Sequence, residues 1–374
     1  MTRLVLFCHS LRSDWNHGNA HFLRGVMAEC HRRGIDAVAH EPADGWSARN
    51  LAAAEGEAAL DAWRAAYPDL PVVVYDAARL DLDRALDGAD LVLVHEWNEK
   101  ALVARIAAHR KAGGRYLLLF HDTHHRMATD PDALAAFALE GFDAVLAFGV
   151  VLADAYRRRG WGRQVFVWHE AADLHVFHPH PEIPRRRDLV WIGNWGDDER
   201  TAELAEFLIE PVRALGLAAH VHGVRYPPEG LAALAASGID FAGYLPNFRV
   251  PQAFAAATMT VHVPRRPYAR ALPGIPTIRV FEALACGIPL VSAPWRDSER
   301  LFSPGDDFLV ARDGAAMRRH LAALRSDPEF ARSVAARGRA TVRARHSCAQ
   351  RVDELLAICR SLGRDLAPLP VAAQ

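Results

Sequence analysis

The residues best suited to chemistry in this 374-residue chain lie between Pro273 and Ser292. A Gly/Pro-rich loop with Pro273, Gly274 and Pro276 feeds a short helix predicted over 277–286, which Gly287 and Pro289 end. A buried strand over 290–292 follows. A loop entering a helix N-terminus binds anions, because the first N–H groups lack intrahelical partners and the dipole's positive end faces the ligand. Pro276, Thr277, Ile278 and Arg279 form that start. Glu282 stands about five residues into the helix, roughly 7–8 Å along its axis at 1.5 Å per residue. That is about the span from a diphosphate to the ribose of a nucleotide. The segment reads as a nucleoside-diphosphate clamp, with the helix start for phosphate and the carboxylate for ribose hydroxyls.

Polar clusters at the ends of apolar strands are the next chemical signal, since ligands bind at strand carboxyl ends. Asn16-His17-Gly18-Asn19 follows the first strand. Gly18 admits close backbone approach, and His17 or Asn19 faces a ligand unless the loop is a plain turn with an Asn cap. His121-Asp122-Thr123-His124-His125 ends a second apolar run, and a His or Asp there can accept a hydroxyl proton. These histidines sit in a loop without helical i, i+4 spacing, so no metal is expected. His95-Glu96-Trp97-Asn98 ends a third run; Trp97 either stacks on a ligand ring or packs. Together the clusters suggest a polar acceptor pocket, with His121, Asp122 and His17 as catalytic candidates and Gly18, Asn19, His95, Glu96, Trp97 and His124 as acceptor contacts. In the second half, Gly193 and Asn194 lie in a glycine loop after a strand, and Arg200 either pairs with phosphate or is an ordinary exposed helix arginine. Cys286 reads as a small buried residue.

Strands and helices alternate, which is the pattern of parallel α/β architecture. In the first half strands are predicted over 4–8, 37–39, 72–75, 91–95, 116–120, 144–148 and 165–168, with helices over 18–33 and 100–111. Residues 43–70 are Ala-rich and helical in character, without a place in the sheet. Residues 178–187 carry prolines and no period, which marks a linker, and Arg185–Arg187 reads as its surface. Strands in the second half are predicted over 189–192, 219–223, 241–242, 259–263, 290–292 and 308–310. Helices over 315–325, 328–343 and 348–362 follow, the last placed to cross back onto the first domain.

Composition narrows the class. The length suggests two domains, each with its own core. A net charge of −1 gives no electrostatic reason to bind nucleic acid or an anionic membrane. The five cysteines lack C-x-x-C spacing, so neither a zinc site nor a disulfide framework is indicated. No apolar run approaches the ~20 residues of a membrane span, the N-terminal strand is too short for a signal sequence, and the chain reads as cytoplasmic. No G-x-G-x-x-G follows a strand, which disfavours a dehydrogenase. Asp81-Leu-Asp83 matches a D-x-D metal motif in letters but precedes a helix.

Arg279-Val-Phe-Glu-Ala-Leu-Ala-Cys-Gly-Ile-Pro-Leu-Val291 resembles the donor-site signature of group 1 glycosyltransferases of GT-B fold. The Arg three residues before Glu resembles the spore-maturation branch. Trp168-His-Glu-Ala-Ala-Asp-Leu-His-Val-Phe-His-Pro179 is similar to the run that closes the N-terminal domain there, with one extra His. Many retaining members carry a second Glu eight residues before the ribose-binding one; that position is Gly274 here. The resemblance implies an α/β chain with two Rossmann-like domains facing a central cleft: an acceptor domain over 1–177, joined by the helix near 348–362, and a donor domain over 188–347. It implies metal-independent transfer from a nucleoside-diphosphate sugar, as co-substrate with no cofactor, to a small-molecule, glycan or protein acceptor. The donor would contact Gly193, Asn194, Arg200, Arg265, Arg266 and the 276–279 helix start, with Glu282 on the ribose and Gly223, Val224 and Tyr244 around the base. A nucleotide-sugar epimerase, a phosphorylase and a non-catalytic nucleotide-sugar-binding scaffold are the rival readings.

Overall fold

A computed structural model describes residues 2–366 except 136 and 138. The chain forms two compact units. One runs to Glu170 and takes in the segment from Cys348; the other is Ala171–Ser347.

The first unit is built on a parallel sheet of β1 (Arg3–Phe7), β2 (Asp36–Pro42), β3 (Val72–Tyr75), β4 (Leu91–His95), β5 (Leu117–Asp122), β6 (Ala144–Ala147) and β7 (Val165–Val167). Its order is β3-β2-β1-β4-β5-β6-β7. Central strands covered on both faces need near-continuous apolar runs, and β4 and β5 supply them as Leu-Val-Leu-Val and Leu-Leu-Leu-Phe. The order reverses between β1 and β4, which pair directly, so the loops that leave them diverge and open a crevice at their carboxyl ends. Phe7, Phe22, Phe120, Phe142, Tyr156 and Trp168 are fully buried in this unit. The last helix, Cys348–Ser361, packs on the helix Ala20–Arg32, and the Trp168 indole N–H donates to the Arg351 carbonyl at 2.8 Å.

The second unit repeats the plan with β8 (Arg187–Ile192), β9 (Ala219–His222), β10 (Ile239–Phe241), β11 (Ala257–His262), β12 (Leu290–Ser292) and β13 (Leu309–Val310). The order is β10-β9-β8-β11-β12-β13, so its switch point lies between β8 and β11. Leu189, Trp191, Val221, Met259, Val261 and Val291 join one buried cluster. The helix Pro328–Arg345 lies close on the helix Ile278–Cys286 because Gly338 has no side chain; a Cβ there would collide with the Asp307 carbonyl and Leu284.

The structure departs from the sequence reading at several elements. β5 runs through His121 and Asp122 rather than stopping at Phe120, because parallel neighbours hold its end on both sides: His95 pairs with His121, and Asp122 with Ala147. Residues 43–70 hold two elements, the helix Trp46–Glu55 and a 3-10 segment, Glu57–Ala65, broken at Gly56 with φ +86°. Among the described residues no helix is long and apolar enough to cross a membrane.

Candidate functional site

In the second unit the helix Ile278–Cys286 starts at Thr277, whose side chain makes no capping bond. Thr277 Oγ1 instead shares a hydrogen bond with His262 Nε2 at 3.0 Å, and His262 Nδ1 shares one with Ser292 Oγ at 2.9 Å. Burial pushes His262 down to about 3, so this neutral ring ties the helix start to the ends of β11 and β12. The arrangement leaves the first turn uncapped by a side chain, as an anion site requires. Glu282 has no solvent exposure. Arg279, one turn earlier, forms an ion pair with it, and the Asn247 side-chain amide donates to Glu282 Oε1 at 3.2 Å. The Arg279 side chain keeps 25% exposure, so one partner of the buried carboxylate reaches the surface.

The glycine loops at the ends of β8, β9 and β10 lie together. Asn194 Oδ1 accepts from the Val224 N–H at 3.1 Å, the Tyr226 hydroxyl donates to the Gly193 carbonyl at 2.8 Å, and the Gly223 N–H donates to the Gly243 carbonyl at 2.8 Å, beside Tyr244. A Cβ on Gly223 would collide with the Gly193 backbone, so the close approach requires glycine. Arg200 is neither an exposed helix residue nor aimed at an open phosphate site. It donates to the carbonyls of Trp195 at 3.3 Å, Val263 at 2.9 Å and Asn194, and lies over the Trp191 ring at 5.1 Å. Burial and then the neighbouring Arg265 push its pKa down to about 9, so it stays cationic at neutral pH and clamps the β8 loop to the end of β11. Arg265 pairs with Glu199 at 3.1 Å, and Arg266 donates to the Glu199 carbonyl at 3.0 Å. Gly274 has φ +93°, and a Cβ there would lie 2.6 Å from Glu299 Cγ and 2.8 Å from Glu299 Oε1. Glu299 therefore fills the space that a side chain at 274 would enter.

In the first unit the ends of β1, β4 and β5 carry a row of histidines. Ring centroids are 5.2 Å apart for His9 and His17, 6.2 Å for His17 and His95, and 5.3 Å for His95 and His121. His95 and His121 are fully buried and His17 nearly so. Burial pushes His9 down to about 4, His121 to about 3, and His17 and His95 well below the usual imidazole range. Each ring is therefore neutral at pH 7, with one donor and one acceptor nitrogen. His95 Nε2 shares a hydrogen bond with Thr123 at 2.9 Å, whereas His17 Nε2, His95 Nδ1 and both His121 nitrogens are buried without a protein partner. Asn98 ties β1 to β4 by donating to the carbonyls of Phe7 at 2.8 Å and His95 at 2.7 Å. The Asn19 amide, next to Gly18, donates to Glu170.

His121 and Asp122 do not share a site. Successive strand residues point to opposite faces. His121 lies against Trp168 at 4.8 Å and Phe22 at 6.0 Å, whereas Asp122 accepts from the Tyr156 hydroxyl at 2.8 Å and the His124 N–H at 2.9 Å. Burial raises Asp122 to about 6 and raises Glu96 as well, with Asp122 the second cause for Glu96 and Arg126 opposing it. Arg126 pairs with Glu96 and lies over the Trp97 ring at 4.3 Å; His124 meets the same ring edge-on at 4.9 Å. Sequence reasoning missed His9, Trp46, Asn247, His262 and Glu299. His9 and His262 end apolar runs and carried the same strand-end signal as His95. Nothing local marks Asn247 or Glu299, which reach the site through tertiary packing.

Residues 200–357 match the family described as glycosyl transferase-like. No curated protein matches the chain. Among solved structures, sucrose-phosphate synthase from Thermosynechococcus elongatus is 14% identical, with 97% of this chain and 99% of that one covered and a TM-score of 0.66. Anabaena Alr3699/HepE in complex with UDP and glucose is 15% identical, with 96% and 100% covered and a TM-score of 0.66. T4 phage BGT in complex with UDP and Mn2+ is 12% identical, with 97% and 100% covered and a TM-score of 0.60. These likenesses establish the fold, a GT-B chain of two Rossmann-like α/β units. The family match spans most of the second unit and the first part of the helix Cys348–Ser361.

The buried imidazoles set an acid limit. His121 and His262 are held near 3 in the fold and return to about 6.5 on unfolding. Below that pH the unfolded chain binds protons that the folded one refuses, so stability is full above pH 6.5 and is lost as pH falls. The slope is about 1.4 kcal/mol per pH unit for each such histidine. Thermal unfolding should show a midpoint that drops steeply from pH 6.5 to 4; a flat midpoint over that range would contradict the neutral buried row.

Proposed function

We propose that this chain is a glycosyltransferase that moves a sugar from a nucleoside-diphosphate sugar to an acceptor hydroxyl, with the donor on the second unit and the acceptor on the first. The observation that carries the reading is the uncapped start of the helix Ile278–Cys286 with the buried Glu282 one turn further on. The diphosphate takes the first-turn N–H groups, and the dipole stabilises the charge that develops on the leaving group. Ribose hydroxyls bond to Glu282 and displace part of its contact with Arg279, whose guanidinium turns to the phosphates. The loops of Gly193, Gly223 and Tyr244 form the base side. Uridine is the favoured base, supported by the complexes of Alr3699/HepE with UDP and UDP-glucose. Arg279 before Glu282 and the Trp168–Pro179 run support a place in the spore-maturation branch.

On the acceptor side, His17 Nε2 receives the hydroxyl proton. It is neutral at pH 7 and has no protein partner. Asp122 is turned to Tyr156, and His121 lies deeper against Trp168, so both position the strand end rather than the reacting hydroxyl. No metal enters this scheme. Among the described residues no three His, Cys, Asp or Glu side chains gather as a metal site, and the helix start with Arg279 supplies the positive charge.

Three outcomes test the reading. Glu282→Ala should weaken UDP binding by roughly 1.5–3 kcal/mol, typical of hydrogen bonds to a charged group, in a variant that still folds; calorimetric affinity equal to the parent's would remove the ribose role. Transfer should survive EDTA, and a complete loss restored by a divalent cation would require metal in the scheme. His17→Ala should lower kcat by about 10²–10⁴ with donor affinity unchanged, and by far more than His121→Ala or Asp122→Asn. A loss below tenfold would move the base elsewhere.

A further inference from the structure

Trp46 and Trp97 are each 41% exposed, among the most exposed large apolar side chains of the described residues. They come from different elements, Trp46 from the start of the helix Trp46–Glu55 and Trp97 from the turn after β4. Both rings converge on His9, at 6.5 and 6.2 Å between centroids. Each is held in place. Trp15 meets Trp46 edge-on at 5.1 Å. The helix has Gly45 at its N-cap position and no side-chain cap; His9 Nε2 accepts the Ser47 N–H at 3.3 Å instead, and the Ser47 hydroxyl donates to the Trp15 carbonyl at 2.7 Å. Arg126, fixed by Glu96, backs Trp97 at 4.3 Å.

Two fixed, half-open aromatic rings on one histidine offer a stacking surface, and the polar groups behind them define what else a ligand there must carry. His17 follows His9 at 5.2 Å, and its buried Nε2 has no protein partner. The arginines around this strand end are already matched by carboxylates: Arg12 by Glu41, Arg24 by Asp14 and Arg126 by Glu96. A phosphate or carboxylate would find no uncommitted cation among them, and burying it unpaired is costly. A pyranose ring meets every requirement. It offers an apolar C–H face for stacking and hydroxyls that both donate to and accept from imidazole.

We propose that Trp46, Trp97, His9 and His17 form a saccharide subsite, so that the acceptor is a glycan or glycoside whose hydroxyl lies at His17. The inference rests on the glycosyl-transfer reading for its place in the reaction, but saccharide binding can be measured without a nucleotide.

The test titrates the full chain with methyl hexosides, maltose and cellobiose, using tryptophan fluorescence at equilibrium, and then measures transfer to the same saccharides from UDP-glucose and UDP-N-acetylglucosamine. At least one saccharide should change the fluorescence saturably and accept the sugar. Trp46→Ala should raise its Kd and acceptor KM at least tenfold, with donor KM and UDP affinity unchanged, and Trp46→Phe should recover most of the loss. Circular dichroism and unchanged UDP affinity would show that the variants fold. Absence of any saccharide response in the parent, Trp46→Ala within twofold of the parent, or a loss confined to donor KM would each overturn the proposal, the last by assigning the rings to the donor's own sugar. Failure of the parent to bind UDP would count against the donor reading instead, since the saccharide titration stands apart from it.

Discussion

A carboxylate with no solvent exposure survives in a fold only if a cation and hydrogen bonds replace its water. Glu282 is that group, and the start of the helix Ile278–Cys286 is arranged around it. Arg279 and Asn247 hold it, one from the same helix and one from the 3-10 turn Asn247–Arg249 that precedes β11. The helix that carries it is fixed at its start by His262 and Ser292 and along its side by the close approach at Gly338. Because the charge is buried, Arg279 is its paired cation and Asn247 a hydrogen-bond donor to it, so the geometry of the helix start and that of the carboxylate are set together.

The first unit solves a similar problem without charge. The ends of β1, β4 and β5 carry imidazoles kept neutral by burial, while two acidic residues there, Glu96 just after β4 and Asp122 at the end of β5, are engaged with Arg126 and Tyr156. Strand alternation produces this division: His95 and Glu96 are consecutive, as are His121 and Asp122, and β4 and β5 pair with His95 opposite His121. One set offers uncharged donors and acceptors, and the other braces the strand ends. The second unit, by contrast, places a helix N-terminus without a side-chain cap beside Arg279 and the buried Glu282.

Much of this was legible in the chain. The central strands declared themselves because parallel sheets covered on both faces need apolar runs, and the signature helix because loop, helix and strand follow one another within twenty residues, 273–292. What stayed hidden depends on contacts distant in sequence. The end of β5 is set by its neighbours, so the split between His121 and Asp122 could not be read from their adjacency. Arg200 has the composition of a phosphate ligand, yet carbonyls from Asn194 to Val263 take its donors. Trp46 fell in an Ala-rich stretch with no sheet position, and its contacts with His9 and Trp15 come from a loop distant in sequence. Gly274 read as a missing carboxylate, whereas the fold places Glu299 against it from the loop after β12.

The most direct measurement is the structure of the chain with UDP bound. The diphosphate should lie on the N–H groups that open the helix Ile278–Cys286, with a ribose hydroxyl on Glu282 and the Arg279 guanidinium turned from that carboxylate toward phosphate. UDP bound elsewhere, or bound there with the Arg279–Glu282 pair intact and no ribose contact to Glu282, would contradict the account.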